Sequence, residues 1–599
     1  MNLKEAYFQL YGGREDCSRR YAELQEIIRK AGKERSPELK ELDREGDSWC
    51  RSEKMVGMML YVDRFSEDLQ GFEDKIDYLC ELGITLVHFM PLLKSRKGKN
   101  DGGYAVSDYL EVDERFGTMR QLERVISKLK KRGIRTCIDF VLNHTAKEHV
   151  WAEEMKKGNP DYADMYFVYD DGRIPREYEK TMTEIFPEVA PGNFTRDPET
   201  GKYVMTRFYE FQWDLNYRNP QVFNKIAETL LALANKGVDM FRLDAIPYMW
   251  KEIGTNCMNL PEVHTLIQML REIAAEVCPG VVFLGEAIVE PREIVKYFGT
   301  EEDRECDVMY NASLMVLLWS SLASRDVRLM YRSLRKNYEV PGRAVWINYA
   351  RCHDDIGWGF ETDQIRELGW DPEAHKQFMI RFMKGDFPGS FARGELYEYN
   401  PQTGDARNCG TLASLCGLEK ALEEKHVYQI ELAVRRILLL HAVMLSYTGI
   451  PMLYSGDEIG QLNDWSYKDD PEHAGDSRWL HRGKMDWEKA AERHDIRTVQ
   501  GVIYQEIRRM IGIRKSSPCF SSDLKSEPAD VGNDAVFAFH KRDRMMVLAN
   551  FSEKEQTVDA DTFSWFGLPG EMEDLLTGRK IRTWGNRFLL GPYECLWLA

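Results

Sequence analysis

The sequence predicts an α/β protein: a closed (β/α)8 barrel with two inserted subdomains, an N-terminal helical segment and a C-terminal antiparallel β-sandwich. Three observations carry this. From Met55 to about residue 515, short apolar runs alternate with amphipathic helical stretches, the pattern of parallel strands joined by right-handed crossovers. The apolar runs number eight, and eight strands close a barrel. Beyond about residue 515 the alternation gives way to short period-two runs, the pattern of antiparallel strands.

Residues 1–50 are helical and densely charged, as in Tyr21-Ala-Glu-Leu-Gln-Glu-Ile-Ile-Arg-Lys30, and carry no recognisable chemistry. The barrel occupies 51–515. Its strands are expected at 55–62, 85–90, 135–141, 238–243, 281–285, about 307–309, 344–349 and 451–454, with helices around 74–82 and 119–131. Two gaps exceed an ordinary loop, 146–220 after the third strand and 356–425 after the seventh. Both are rich in aromatics, glycine, proline and charge, and they read as subdomains inserted over the mouth of the barrel. Val536-Phe-Ala-Phe-His540, Met545-Met-Val-Leu-Ala-Asn-Phe551 and Cys595-Leu-Trp-Leu-Ala599 supply strands of the sandwich at 516–599.

A chain of 599 residues exceeds one ordinary core; at about 150 residues per domain it predicts about four. The composition is 43% apolar without a long apolar run, and Met1-Asn-Leu-Lys-Glu-Ala6 leads into mixed charge, not the apolar stretch of a secretory signal. A cytoplasmic location follows as the expectation. The formal charge of −17 argues against nucleic acid and anionic membrane, which need clustered cations. The densest basic spot, Lys130-Lys-Arg132, reads as the solvated end of a helix. Twelve cysteines are scattered without a Cys-x-x-Cys pair, the pattern of reduced core thiols and not of a disulfide frame or a zinc site.

Chemistry enters through Arg242 and Asp244 in Gly237-Val-Asp-Met-Phe-Arg-Leu-Asp-Ala245. Residues two apart on a strand project to one side, so a guanidinium stands beside a carboxylate. Alone, such a pair reads as a self-satisfying structural ion pair, and only its company turns it toward chemistry. Three further segments have the same form, an apolar run ending in hydrogen-bonding side chains: Thr136-Cys-Ile-Asp-Phe-Val-Leu-Asn-His-Thr145, Val281-Val-Phe-Leu-Gly-Glu-Ala287 and Ala344-Val-Trp-Ile-Asn-Tyr-Ala-Arg-Cys-His-Asp-Asp355. In a β/α barrel the strand C-termini build the active face, so Asp244, Glu286 and Asp354 converge on one rim. Two carboxyls about 5 Å apart serve a retaining glycosidic mechanism. Asp244, kept ionised by Arg242, suits the nucleophile; Glu286, after an apolar run, suits the acid/base; Asp354 would hold sugar hydroxyls. His144 and His353 either donate hydrogen bonds to a sugar or satisfy the core.

The four segments resemble, in order and with all three carboxyls, the signature regions of the α-amylase superfamily (glycoside hydrolase family 13). The resemblance implies a TIM-barrel enzyme with Asp244 as nucleophile, Glu286 as acid/base and Asp354 as transition-state stabiliser, supported by Asp139, His144, Arg242 and His353. A narrower likeness spans nearly the whole chain from Trp49. Asp101-Gly-Gly-Tyr-Ala-Val-Ser107, Phe211-Gln-Trp-Asp-Leu-Asn-Tyr217, His353-Asp-Asp-Ile-Gly-Trp358, Ser390-Phe-Ala-Arg-Gly394 and Asp476-Ser-Arg-Trp479 are similar to the amylosucrase and sucrose hydrolase branch.

That likeness implies a blind pocket whose floor is an Asp101–Arg478 salt bridge, with Tyr104 and Phe208 as aromatic faces and Asp355, Ile288 and Arg407 toward the fructosyl side. It implies sucrose as glucosyl donor and an α-1,4-glucan or maltooligosaccharide acceptor. Water as acceptor, another α-glucosidase or sucrose isomerase activity, and a non-catalytic carbohydrate-binding role are the alternatives. The chain departs from the amylosucrase pattern at Thr183, where an arginine can stand, and at Glu398, where a glutamine can. No cofactor and no metal are expected; Asn143 either ligands calcium or orders its loop. Monomer and homodimer stay open.

Overall fold

The computed structural model describes residues 2–287, 289–336, 340–582, 585 and 587–599. Eight parallel strands close a barrel: β1 (Gly57–Leu60), β2 (Leu86–Phe89), β3 (Arg135–Val141), β4 (Met240–Asp244), β5 (Val282–Gly285), β6 (Val308–Tyr310), β7 (Val345–Asn348) and β8 (Ile450–Tyr454). Each strand pairs with its sequence neighbours, and β8 closes on β1. All eight predicted strands are present.

Local sequence explains how the connections start and stop. Helix Met119–Lys131 begins at a Thr118–Gln121 capping box and buries Leu122, Val125, Ile126 and Leu129 along one stripe. Lys128, Lys130 and Lys131 in its last turn complement the helix dipole. The expected solvated end is only partly so: Lys130 is drawn into an ion pair with the buried Asp239 at the foot of β4, while Lys131 is exposed. The helix expected at 74–82 is Ile76–Leu82, which ends at Gly83 in the left-handed region and is preceded by a separate short helix, Leu69–Glu73.

The segment after β3 carries the strand His144–Ala146, which pairs with Gln212–Asp214, and a three-stranded sheet of Val168–Tyr169, Tyr203–Met205 and Phe194–Arg196. The segment after β7 contains helix Pro372–Lys384 and the hairpin Glu395–Tyr397 with Arg407–Cys409. Asn400 donates to Glu188 at 2.8 Å and so ties the two segments together.

Helices Leu3–Tyr11 and Cys17–Glu34 lie against the barrel's outer layer. Tyr7 donates to Asn224 at 3.1 Å, and the buried Arg35 holds both Asp43 and the carbonyl of Ala234 at the end of helix Pro220–Asn235. At the other end of the chain, β9 (Glu527–Ala529), β10 (Val536–Lys541), β11 (Met545–Asn550), β13 (Glu571–Asp574), β14 (Arg579–Arg582) and β16 (Cys595–Leu598) form an antiparallel sheet in the order 9-10-11-16-13-14. A ribbon of β12 (Gln556–Asp559) and β15 (Arg587–Leu590) covers it.

Period two decides the two faces. Phe537, Phe539, Val547 and Trp597 join the main core, while Ala538, Met546, Leu548, Leu596 and Leu598 pack with Val558 and Leu590 of the ribbon. Among the described residues no helix is long and apolar enough to cross a membrane, and all twelve cysteines are free thiols.

Candidate active site

The parallel register of β3 and β4 sets Arg242 level with Asp139, and both side chains enter the barrel. A single nitrogen of Arg242 donates to Asp139 and to Asp244, each at 2.6 Å. Its other terminal nitrogen comes within 4.0 Å of Glu286. After Asp244 the chain turns sharply: Ala245 takes a left-handed φ of 56°, and its N–H donates to Glu286 at 2.9 Å. On the next strand Gly285 leaves no room for a side chain, since a Cβ there would stand 2.6 Å from the sulfur of Met309 and 2.8 Å from that of Cys306. Glycine lets the end of β5 pack closely against β6 just before Glu286.

Burial raises both carboxyls, Asp244 and Glu286, above the ordinary carboxylate range, and Arg242 opposes the rise at each. Arg242 is 2.6 Å from Asp244 and 4.0 Å from Glu286, so its charge favours ionisation of Asp244 over that of Glu286. Asp139 behaves differently. Burial raises it too, but Arg242 and His88, 3.1 Å away, outweigh that and hold it below the usual range.

Tyr104 ties this cluster to the seventh strand. Its hydroxyl accepts from Arg242 at 3.2 Å and lies 3.2 Å from Asp139 and 2.7 Å from His353, on whose ring it stacks. Burial, with Arg482 and Arg242 nearby, lowers the His353 pKa well below its ordinary value, so the imidazole is neutral. Asp354 stands 3.2 Å from His353 and faces Arg482 at 3.6 Å and Arg478 at 3.7 Å.

Arg478 holds Asp476 through two nitrogens at 2.9 and 2.8 Å and reaches Asp101 at 3.1 Å. Asp101 has a left-handed φ of 54°, and Gln212 of the first inserted segment donates to it at 3.3 Å. His144, whose pKa burial lowers to about 4, lies against Phe208 with ring centroids 5.0 Å apart. Asp355 meets Arg407 at 3.5 Å. Ile288 lies outside the described residues.

Several contributors were not anticipated from sequence. His88 sits inside the fully buried run of β2, and a histidine in such a run is itself a signal. Tyr61 just after β1 and Arg482 had no such mark, while Gln212 stood inside the Phe211–Tyr217 segment without a role assigned to it. Tyr61 Oη, His144 Nε2 and Arg482 Nη1 are buried polar atoms without a hydrogen-bond partner, which suits them to a hydroxyl-rich guest.

Two tests bear on metals. Asn143 accepts from Lys251 at 2.5 Å, and that ammonium also pairs with Asp214 at 2.8 Å, all three side chains being buried. Here Asn143 orders its loop around a protein cation. Cys352, His353 and Asp354 place ligand atoms within 4.8 Å of one another, but Arg478 and Arg482 beside Asp354 make that corner unfavourable for a second cation.

Of the two departures from the amylosucrase pattern, Thr183 accepts from Arg207 at 3.3 Å, and Glu398 adopts a left-handed φ of 53°. Burial raises the Glu398 carboxyl, and Arg407 partly offsets this.

Solved structures share the whole architecture. Trehalulose synthase from Pseudomonas mesoacidophila superposes with a TM-score of 0.62 at 21% identity, covering 92% of this chain and 99% of that one. Sucrose 6F-phosphate phosphorylase from Thermoanaerobacter thermosaccharolyticum gives 0.64 at 19%, covering 83% and 94%. At such identity these likenesses speak to fold. Among sequence relatives, a trehalose synthase/amylase of Mycobacterium tuberculosis is 31% identical over 399 residues, 66% of this chain, and the match spans only 59% of that protein. A glucosylglycerate phosphorylase of Escherichia coli is 26% identical over 566 residues, 92% of each. The family model of the alpha-amylase catalytic domain matches residues 43–354, just over half of the sequence. The chain therefore belongs to the α-amylase family.

Proposed function

We propose that the protein is a retaining glucosyltransferase of amylosucrase type, which takes glucose from sucrose and passes it to an α-1,4-glucan, releasing fructose. The observation that carries this reading is the Asp101–Arg478 contact at 3.1 Å beside Asp244, Glu286 and Asp354. A salt bridge closing the pocket floor limits the donor side to one terminal sugar, as a disaccharide donor requires.

In this reading Asp244 attacks the anomeric carbon, and Glu286, as the protonated acid, delivers its proton to the departing fructose oxygen. The bond from carbon to fructose oxygen breaks as the β-linked ester to Asp244 forms. Glu286, now ionised, removes the proton from the acceptor hydroxyl, which attacks the anomeric carbon; the bond from that carbon to Asp244 breaks, freeing the carboxylate and restoring the α configuration. Neutral His144 and His353, with Arg242 and Asp354, bind the ring hydroxyls and the charge that develops on the sugar. Tyr104 and Phe208 give it apolar faces. Asp355 and Arg407 face the fructosyl side, and the acceptor side lies where the two inserted segments meet.

Phosphorolysis is a second reading, favoured by the match to glucosylglycerate phosphorylase over nearly the whole of both chains. Incubation with sucrose, with and without inorganic phosphate, followed by chromatography of all sugars, separates the two. Fructose together with α-1,4 oligomers supports transfer to glucan. Glucose 1-phosphate as the product moves the assignment to phosphorolysis, glucose in equimolar amount with fructose moves it to hydrolysis, and the absence of any fructose rejects sucrose as donor.

A further inference from the structure

Arg207, in the first inserted segment, is 1% exposed, yet among the described residues it forms no ion pair. One terminal nitrogen donates to the carbonyl of Cys257 at 2.9 Å. The other donates to the carbonyl of Asn256 at 3.1 Å and to the carbonyl and hydroxyl of Thr183, each at 3.3 Å. The guanidinium carbon stands over the Tyr248 ring, 4.7 Å from its centre. Burial lowers the pKa of Arg207, the mark of a cation taken out of water with no carboxylate in contact. Burying a guanidinium on these terms is costly, and what it holds explains the cost.

It holds the loop after β4. The carbonyls of Asn256 and Cys257 flank the α-carbon of Cys257, which has a left-handed φ of 53°, and Asn259 follows with a φ of 56°. A rigid fork that grips the carbonyl on each side of one residue fixes both of its backbone angles, and a left-handed cysteine persists only with such support. The N–H of Asn259 donates to the carbonyl of Pro247 at 2.9 Å. Pro247 is the middle residue of the turn Ile246–Tyr248, and Ala245, which leads into that turn, donates to Glu286 at 2.9 Å. The guanidinium thus reaches the turn by two routes, through the loop and through the ring of Tyr248. That ring also meets Phe208, the neighbour of Arg207 in sequence, at 5.6 Å.

We propose that Arg207 is a positioning residue for proton transfer: it holds the turn from Ala245 to Tyr248, and through the Ala245 N–H it seats the Glu286 carboxyl where the leaving oxygen receives its proton. This rests on Glu286 being the acid of the proposed function, and not on sucrose being the donor. A guanidinium that only fastened the inserted segment to the barrel would affect stability and every donor alike.

Aryl α-glucosides graded from dinitrophenyl to phenyl test this, because the first leaving group departs without a proton and the last requires one. Arg207→Met keeps the apolar stem and loses the fork. Its kcat/KM is expected to stay within about threefold of wild type on the dinitrophenyl glucoside and to fall about tenfold or more on the phenyl glucoside and on sucrose. In a Glu286→Gln background, where the acid is already missing, the same substitution should leave the dependence on the leaving group unchanged. Arg207→Lys, which keeps a cation but not the fork, should show an intermediate dependence, and it carries the comparison if the methionine variant lacks the wild-type melting transition. An equal loss on all donors, no loss on any, or a further steepening in the Glu286→Gln background overturns the proposal. A protein that shows the expected pattern on the aryl series but releases no fructose from sucrose keeps the role of Arg207 while the donor of the proposed function falls. An unaltered dependence in an enzyme that turns over sucrose does the reverse.

Discussion

One nitrogen of Arg242 lies 2.6 Å from both Asp139 and Asp244, and this shared contact sets the charge state of the pocket. Asp139 is held below the usual carboxylate range by Arg242 and His88, so Arg242 is fixed in place beside Asp244, where its charge opposes the rise that burial imposes. Glu286, raised by burial, then limits the alkaline side of activity: it must be protonated to act, so the rate falls as pH rises past its pKa. Glu286→Gln should lower kcat on sucrose by about 10²–10⁴-fold and, on glucosyl fluoride, whose leaving group needs no proton, retain the first step with no alkaline limb in its pH profile. An alkaline limb that survives in that variant gives the acid role to another group. Arg478→Ala leaves the half-buried Asp101 and Asp476 without the guanidinium that both contact. It should raise KM for sucrose by roughly tenfold or more, and an unchanged KM in steady-state kinetics would contradict the closed floor.

At the scale of elements, the loops after β7 and β8 are pinned by buried groups that differ in how they respond to pH. Arg351 at the end of β7 grips Asp457 after β8 at 2.8 Å, while the neighbouring Glu458 accepts from Tyr78 at 2.6 Å and from the Gly456 N–H at 2.8 Å with no cation. Burial lifts Glu458 to about 7. Since its folded pKa exceeds its unfolded value, the native state binds the proton more tightly. The associated stability is full below about pH 4.5 and is lost as pH rises through about 7. Glu458→Gln keeps one acceptor for Gly456 and offers a donor to Tyr78. It should melt with wild type at pH 4 and above it at pH 8, with a gain of up to about 3 kcal/mol; equal melting at both pH values would show that the carboxyl is ionised in the fold.

These elements also show what could be read beforehand. The eight strands were legible because strand period is a local property, and Asp244, Glu286 and Asp354 were picked out because each closes a strand; the Asp101–Arg478 pair, 377 residues apart, came only from what the likeness to the amylosucrase branch implies. Tyr61, Gln212 and Arg482 were not. They reach the pocket through loops whose paths depend on the whole barrel being closed, and no period marks them. Lys130 was misjudged for the same reason: its partner Asp239 lies 109 residues away.

For the whole molecule, the C-terminal sheet is a two-faced layer with one face merged into the main core through Phe537, Phe539, Val547 and Trp597. Such sharing makes the barrel and the sheet a single cooperative unit. Trp597→Ala opens a cavity in that shared core and should destabilise the protein by about 3–5 kcal/mol, seen by calorimetry as one transition at a lower temperature. A barrel transition left at its wild-type position would mean that the two parts melt independently. The central claim concerns the bond to glucose. Glu286→Gln incubated with glucosyl fluoride, then digested and analysed by mass spectrometry, should yield one peptide heavier by a single hexosyl group, with the group on Asp244; Asp244→Asn, folded but inactive, should yield none. A hexosyl group on any other residue, or ordinary fructose release from sucrose by Asp244→Asn, would contradict the assignment.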